Sequence, residues 1–184
     1  MVVYSGLKAI NLKPGERIVV TPATGRNEHA LARLVSAHPR VVSMTVRTND
    51  VDKDTENLQQ YGVVDGVLDM TPMGAEGSTH VRAASGALEQ YGRACMMGMG
   101  VGAMKDIEIP VMQMTFRSIT VHGHAMYLGE DVRDIIKTAE ASVLKLGKHR
   151  GVDTVAEFKL DNFKKGFDWV AKNHEFGQMA VLVP

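Results

Sequence analysis

IVVTPATGRNEHALARL, residues Ile18 to Leu34, is the stretch on which the fold turns. Its first residues are uniformly apolar and mostly β-branched, as expected of a strand buried on both faces. The segment from Asn27 has the spacing of a helix, and the turn between the two carries a single glycine, Gly25. A strand that turns directly into a helix is the start of a crossover unit, and the rest of the chain repeats the alternation. Helix-patterned NEHALARLVSAH, strand-like RVVSMTV, helical DTENLQQYG, strand-like VDGVLDMT, helical STHVRAASGALEQYG and strand-like RACMMG follow in order. The class this implies is α/β: an open, twisted, mostly parallel sheet with helices on both faces.

Boundaries are marked chemically. KPGE (Lys13 to Glu16) reads as a turn into the first strand, Ser78 as a cap for the following helix, and Gly92 as that helix's end. Beyond IEIPVMQM the pattern predicts one more strand, SITVHGHAMY. It then predicts helices over GEDVRDIIKTAEASVLKLG and LDNFKKGFDWVAKNH, and a terminal strand GQMAVLVP. With 184 residues, no internal repeat and no low-complexity linker, one domain over 1–184 is expected.

Composition narrows the partners. Lysine plus arginine (21) equals aspartate plus glutamate (21), so no charge excess favours nucleic acid. No apolar run approaches a membrane span and no secretory leader is evident, which points to a cytoplasmic protein. The single cysteine, Cys95, reads as a buried, inert thiol. Twelve methionines suit an adaptable core or pocket lining.

The collinear segments GLKAINLKPGERIVVTPAT, GVLDMTP, STHVRAASGALEQYGRACMMG, DVRDIIKTAEASVLKLG and FGQMAVLVP together resemble the Rossmann cofactor domain of the medium-chain, zinc-type alcohol dehydrogenases and quinone reductases, most closely a fungal branch. The resemblance spans essentially the whole chain, but the catalytic domain that precedes this one in the family has no counterpart. Near Gly25 the family places a helix and a strand between the PATG-like and GRNE-like segments. Here Thr24 runs straight into Gly25, so the stretch reads as two family segments joined, with the third family strand pairing where the second would have been. The rival alignment keeps Gly25 as the middle glycine of a decayed fingerprint.

The resemblance implies NADP(H) as cofactor, with Arg26 toward the adenosine 2′-phosphate and Thr24, Gly25 and Asn27 at the phosphate-binding turn. It places Thr71 and Pro72 beside the ribose and Gly98 beside the nicotinamide. The first-turn acid Glu28 would repel phosphate there, and as a plain helix-dipole partner it needs no ligand. The alternative is that no nucleotide binds and these are ordinary strand-to-loop turns.

VHGHAMY is the candidate for other chemistry. Strand alternation sets His122, His124 and Met126 on one face, and paired imidazoles act as acid and base near neutrality, with Tyr127 or Asp131 nearby. A solvent-facing or interface pair is the plainer account. Two imidazoles do not complete a tetrahedral metal shell, and His80, at a helix start, is read as structural.

The functional expectations are therefore an alcohol dehydrogenase-like domain of NADP(H)-linked oxidoreductase ancestry, a cofactor-independent small-molecule enzyme (cyclase, isomerase or lyase), or a non-catalytic binding domain. A small-molecule ligand and a homodimer through an exposed sheet edge are expected.

Overall fold

The computed structural model describes residues 1–21, 41–43, 50–71, 79–98, 110–144, 154–173 and 178–184. Contacts divide the chain into two compact units, Met1–Asp134 and Ile135–Pro184. In the first, α1 (Val2–Ala9) precedes β1 (Ile18–Thr21), β2 (Val41–Ser43), α2 (Val51–Gln59), β3 (Val64–Asp69), α3 (His80–Ala87), β4 (Leu88–Met96), α4 (Val111–Arg117) and β5 (Thr120–Gly123). The five strands are all parallel, in the order β2-β1-β3-β4-β5. The α/β class is thus as expected, and β2 pairs with β1, the place predicted for a unit shortened by one strand.

Period-two alternation sends the strands' side chains to two cores. Ile18, Val20, Leu68 and Cys95 pack against Val3 and Ile10 of the α1 segment. Val19, Val67 and Ala94 pack instead with Leu58 of α2 and Ala84 and Ala87 of α3. Helices therefore cover both faces, which is why these strands read as unbroken apolar runs.

Local chemistry sets the ends. Gly15 stands at φ 87° behind Pro14, and Glu16 N–H donates to Lys13 O at 3.1 Å, so KPGE is the expected turn. Helix α2 starts earlier than its periodicity suggested. Asp50 caps it, its carboxylate accepting from Asp52 and Lys53 N–H.

The end of α3 also differs from expectation: the helix stops at Ala87, and Gly92 lies inside β4. Leu88 pairs with Val64 and Arg93 with Gly66, so Glu89 to Gly92 bulge out of the ladder. Tyr91 takes φ 62° there. Arg117 Nη1 donates to Gly86 O (3.2 Å) and Leu88 O (2.9 Å), closing the helix's last turn with a cation that also suits its dipole. Ser78 lies outside the described residues; the cap position falls on Thr79, whose side chain makes no capping bond.

Helix α5 (Gly129–Glu140) begins in the first unit. The second unit contains β6 (Thr154–Lys159), a three-ten turn (Leu160–Asn162), α6 (Phe163–Lys172) and β7 (Gln178–Val183). Strands β6 and β7 pair in parallel, and the pattern of alternation had not singled out β6. Gly166 is buried, and a Cβ there would lie 3.2 Å from Leu182 and 3.4 Å from Phe158, so the glycine lets α6 approach the strands. Phe158 and Trp169 pack with centroids 6.4 Å apart.

Candidate functional site

In this strand order the direction of winding reverses at β1 and β3, and open α/β sheets bind ligands outside the carboxyl ends at such a point. Thr21, Asp69 and Met96 end the three central strands there. Thr21 and Asp69 are register partners, and both are buried. Among the described residues the hydroxyl of Thr21 has no hydrogen-bond partner.

Beyond Asp69 the chain folds back on its own carboxylate. Thr71 donates to Asp69 Oδ1 through Oγ1 at 2.5 Å and through its backbone N–H at 3.2 Å. Thr71 Oγ1 is also 2.6 Å from His80 Nε2, at the start of α3. The hydroxyl has one proton. When it goes to the carboxylate, the imidazole must supply the proton of the second bond.

Burial pushes the Asp69 carboxyl above its ordinary value, opposed by hydrogen bonds from Thr71 and Gly98. The same burial, with the charge of Asp69, pushes the Cys95 thiol up to about 11, so Cys95 is the inert thiol expected. Gly98 completes the enclosure. Its N–H donates to Asp69 O at 3.1 Å, and a Cβ on it would lie 2.6 Å from both Asp69 Oδ2 and Thr71 N. The structure therefore brings together two of the residues singled out in the sequence, Thr71 and Gly98, and adds Asp69 and His80. Thr24, Gly25, Arg26, Asn27 and Pro72 lie outside the described residues.

A second polar cluster lies on the α1 face of the same edge. His122 pairs with Cys95 across β4 and β5, and His124, just past the end of β5, donates its backbone N–H to Met96 O at 3.0 Å. The two imidazoles are neighbours, with ring centroids 5.7 Å apart. The strand ends at Gly123, and Met126 takes φ 58°, so the alternation does not run on to Met126. Tyr127 is partly exposed, with no hydrogen bond to either imidazole.

The partner of His124 comes from the other end of the chain: Ser5 Oγ is 2.6 Å from His124 Nε2 and donates to Asp131 Oδ2 at 2.7 Å. Asp131 also accepts from Leu128 N–H at 2.9 Å and from Lys8 Nζ at 3.0 Å. Ser5 and Lys8 are not among the residues expected from the sequence, because they lie in α1, ahead of the first strand, and the alternating pattern begins only at β1. The spacing of Val3, Leu7 and Ile10 was the available signal.

Leu128 N–H first, and then the Ser5 hydroxyl, hold the Asp131 carboxyl down at about 2. A carboxyl depressed in the folded state stabilises the protein above its ordinary value of 3.8. That contribution is lost as pH falls toward about 2. Acid unfolding followed by circular dichroism should thus be less steep below pH ~4 in Asp131→Asn than in wild type. Superimposable acid limbs would remove this carboxylate from the account.

No family model matches the sequence, and no curated protein is similar to it. Solved structures do share its fold. A thermostable alcohol dehydrogenase from Pyrobaculum aerophilum is 17% identical at a TM-score of 0.67, covering 100% of this chain and 54% of its own. The 2R,3R-butanediol dehydrogenase from Bacillus subtilis is 15% identical at 0.68, covering 100% and 55%. The L-idonate 5-dehydrogenase from Escherichia coli is 13% identical at 0.68, covering 98% and 54%. The chain thus spans about half the length of the dehydrogenases it resembles, and at these identities the likeness establishes the fold alone. No helix among the described residues is long and apolar enough to cross a membrane.

Proposed function

We propose that the chain is the dinucleotide-binding half of an alcohol dehydrogenase-type oxidoreductase, taking NADP(H) at the carboxyl edge of the sheet. The observation that carries this reading is the close approach of Gly98 to Asp69 and Thr71 where the strand order reverses. A glycine there lets the chain after β4 close onto the Asp69–Thr71 turn and shape this end of the sheet. The Thr21 hydroxyl beside Asp69, unpartnered among the described residues, is a polar group suited to a ligand. A ribose, whose hydroxyls both donate and accept, is the part of the nucleotide we assign to this end of the sheet. Bound there, NADP(H) supplies a hydride donor or acceptor. Asp69, held by Thr71 and Gly98, fixes the shape of the cradle, and Arg26 is assigned to the 2′-phosphate.

Calorimetric titration of the purified protein with NADPH and NADH tests this. The expected result is NADPH binding with Kd below ~100 µM, about 5.5 kcal/mol, and weaker binding of NADH. No heat at millimolar nucleotide would end the reading. It would leave the cofactor-independent enzyme, which the His124–Ser5–Asp131 cluster favours.

The expected homodimer has a physical basis in β5, an edge strand whose Thr120, His122 and Gly123 are exposed. Such an edge pairs readily with its own copy. Light scattering at micromolar concentration should give twice the chain mass of 20.1 kDa. A monomeric mass would remove β5 as an interface.

A further inference from the structure

We infer that His124 is a proton-accepting site of fixed tautomer for an alcohol substrate at the carboxyl edge of β4 and β5. The inference rests on the dehydrogenase reading and names the group that would take the hydroxyl proton. Three observations bear on it.

The first is proton placement. Asp131 accepts from Leu128 N–H, Lys8 Nζ and the Ser5 hydroxyl, a set of donors that suits the ionised carboxylate. The one hydroxyl proton of Ser5 is committed to Asp131. The 2.6 Å contact between Ser5 Oγ and His124 Nε2 is then a bond in which the imidazole donates. A neutral His124 so held keeps its lone pair on Nδ1. The same logic excludes Ser5 as a nucleophile, since His124 does not accept its proton.

The second observation is access. Ser5 and Asp131 are buried, whereas His124 is partly exposed, and its Nδ1 makes no hydrogen bond among the described residues. The cluster is thus anchored at one nitrogen and, among the described residues, unbonded at the other, the arrangement that a general base needs.

The third is position. His124 N–H on Met96 O fixes the residue beside the strand end that leads through Met97 into the Gly98 cradle. The charged and titratable groups around it are His122 on β5, Lys8 on α1, and Glu130, Asp131 and Asp134 on α5.

In the step proposed, the substrate O–H bond breaks and its electron pair forms the carbonyl π bond. The hydride on the adjacent carbon leaves to the oxidised nicotinamide dinucleotide, and the proton bonds to His124 Nδ1. The resulting imidazolium faces the Asp131 carboxylate through Ser5, which offsets its charge. Ser5 and Asp131 are positioning residues.

The test is nitrogen-15 NMR of imidazole-labelled protein without nucleotide, titrated with trifluoroethanol as a hydroxyl donor. The expected result is a single His124 tautomer with a slowly exchanging Nε2–H, and a saturable shift of its Nδ1 signal that His122 does not share. Ser5→Ala should speed exchange of that Nε2 proton at least tenfold while leaving the other bonds of Asp131 in place. His124→Gln, whose amide can still donate to Ser5, should melt with the wild type and abolish the saturable response. A proton on Nδ1 in the wild type, or no saturable shift, would overturn the proposal. Because no nucleotide is present, failure of NADPH to bind beside an intact His124 response would sink the dinucleotide reading alone.

Discussion

Leu68→Ala is expected to lower the unfolding free energy by about 2–5 kcal/mol, a large share of the ~5–15 kcal/mol typical of a folded domain. Leu68 lies in the central strand β3, fully buried, among Ile18, Val20, Cys95, Val3 and Ile10. Its neighbours are held by the sheet ladder and by α1, so they cannot collapse into the space left behind. The closeness of that packing shows at Gly6, where a Cβ would sit only 2.5 Å from Leu68 Cδ1. Urea unfolding measures the loss directly. Met112→Ala on α4, where the side chain is 72% exposed, should stay within about 0.5 kcal/mol. Equal, small effects for the two would mean that the α1 face is not close-packed.

Gly98→Ala is expected to cost about 1–3 kcal/mol of stability through overpacking. It should also weaken NADPH binding at least ~10-fold, about 1.4 kcal/mol. The reason is what a methyl group would meet. Asp69 Oδ2 and Thr71 N stand 2.6 Å from its position and Thr71 O 2.7 Å, and two of the three are backbone atoms. The turn after β3 must therefore shift, carrying Asp69 and Thr71 with it. Stability and nucleotide affinity are read separately, by urea unfolding and by calorimetry. A destabilised variant that binds NADPH like the wild type would place the nucleotide elsewhere, whereas unchanged stability would contradict the packing itself.

Much of the fold was legible because burial on both faces leaves a signature in linear sequence. Ile18 to Thr21 and the apolar residues of VDGVLDMT read as strands covered on both faces, and Pro14–Gly15 announced the turn before the first of them. The pairing of β2 with β1 also followed from the reading of a shortened first unit, which lets the next strand take the place beside β1. Helix α1 was legible in principle from Val3, Leu7 and Ile10. The bulge at Glu89 to Gly92 was not, because Gly92 ends a helix and breaks a ladder equally well.

The candidate site divides in the same way. Thr71 and Gly98 were marked by the resemblance of DMTP and MMGMG to turns of the dehydrogenase family, and His122 and His124 by their spacing, a local signal. The Asp69–Thr71–His80 chain needed the start of α3 to meet the end of β3. Ser5, which with Asp131 fixes the tautomer of His124, lies 119 positions from His124 and 126 from Asp131.

The sequence by itself determined the α/β class, the central strands and which residue types stand at their ends, because periodicity and turn chemistry act over a few neighbouring residues. Only the tertiary structure decided which side chains share a proton. A hydrogen bond forms only within about 3 Å, and residues so far apart in the chain reach that distance through the packing of α1 and α5 at the edge of the sheet.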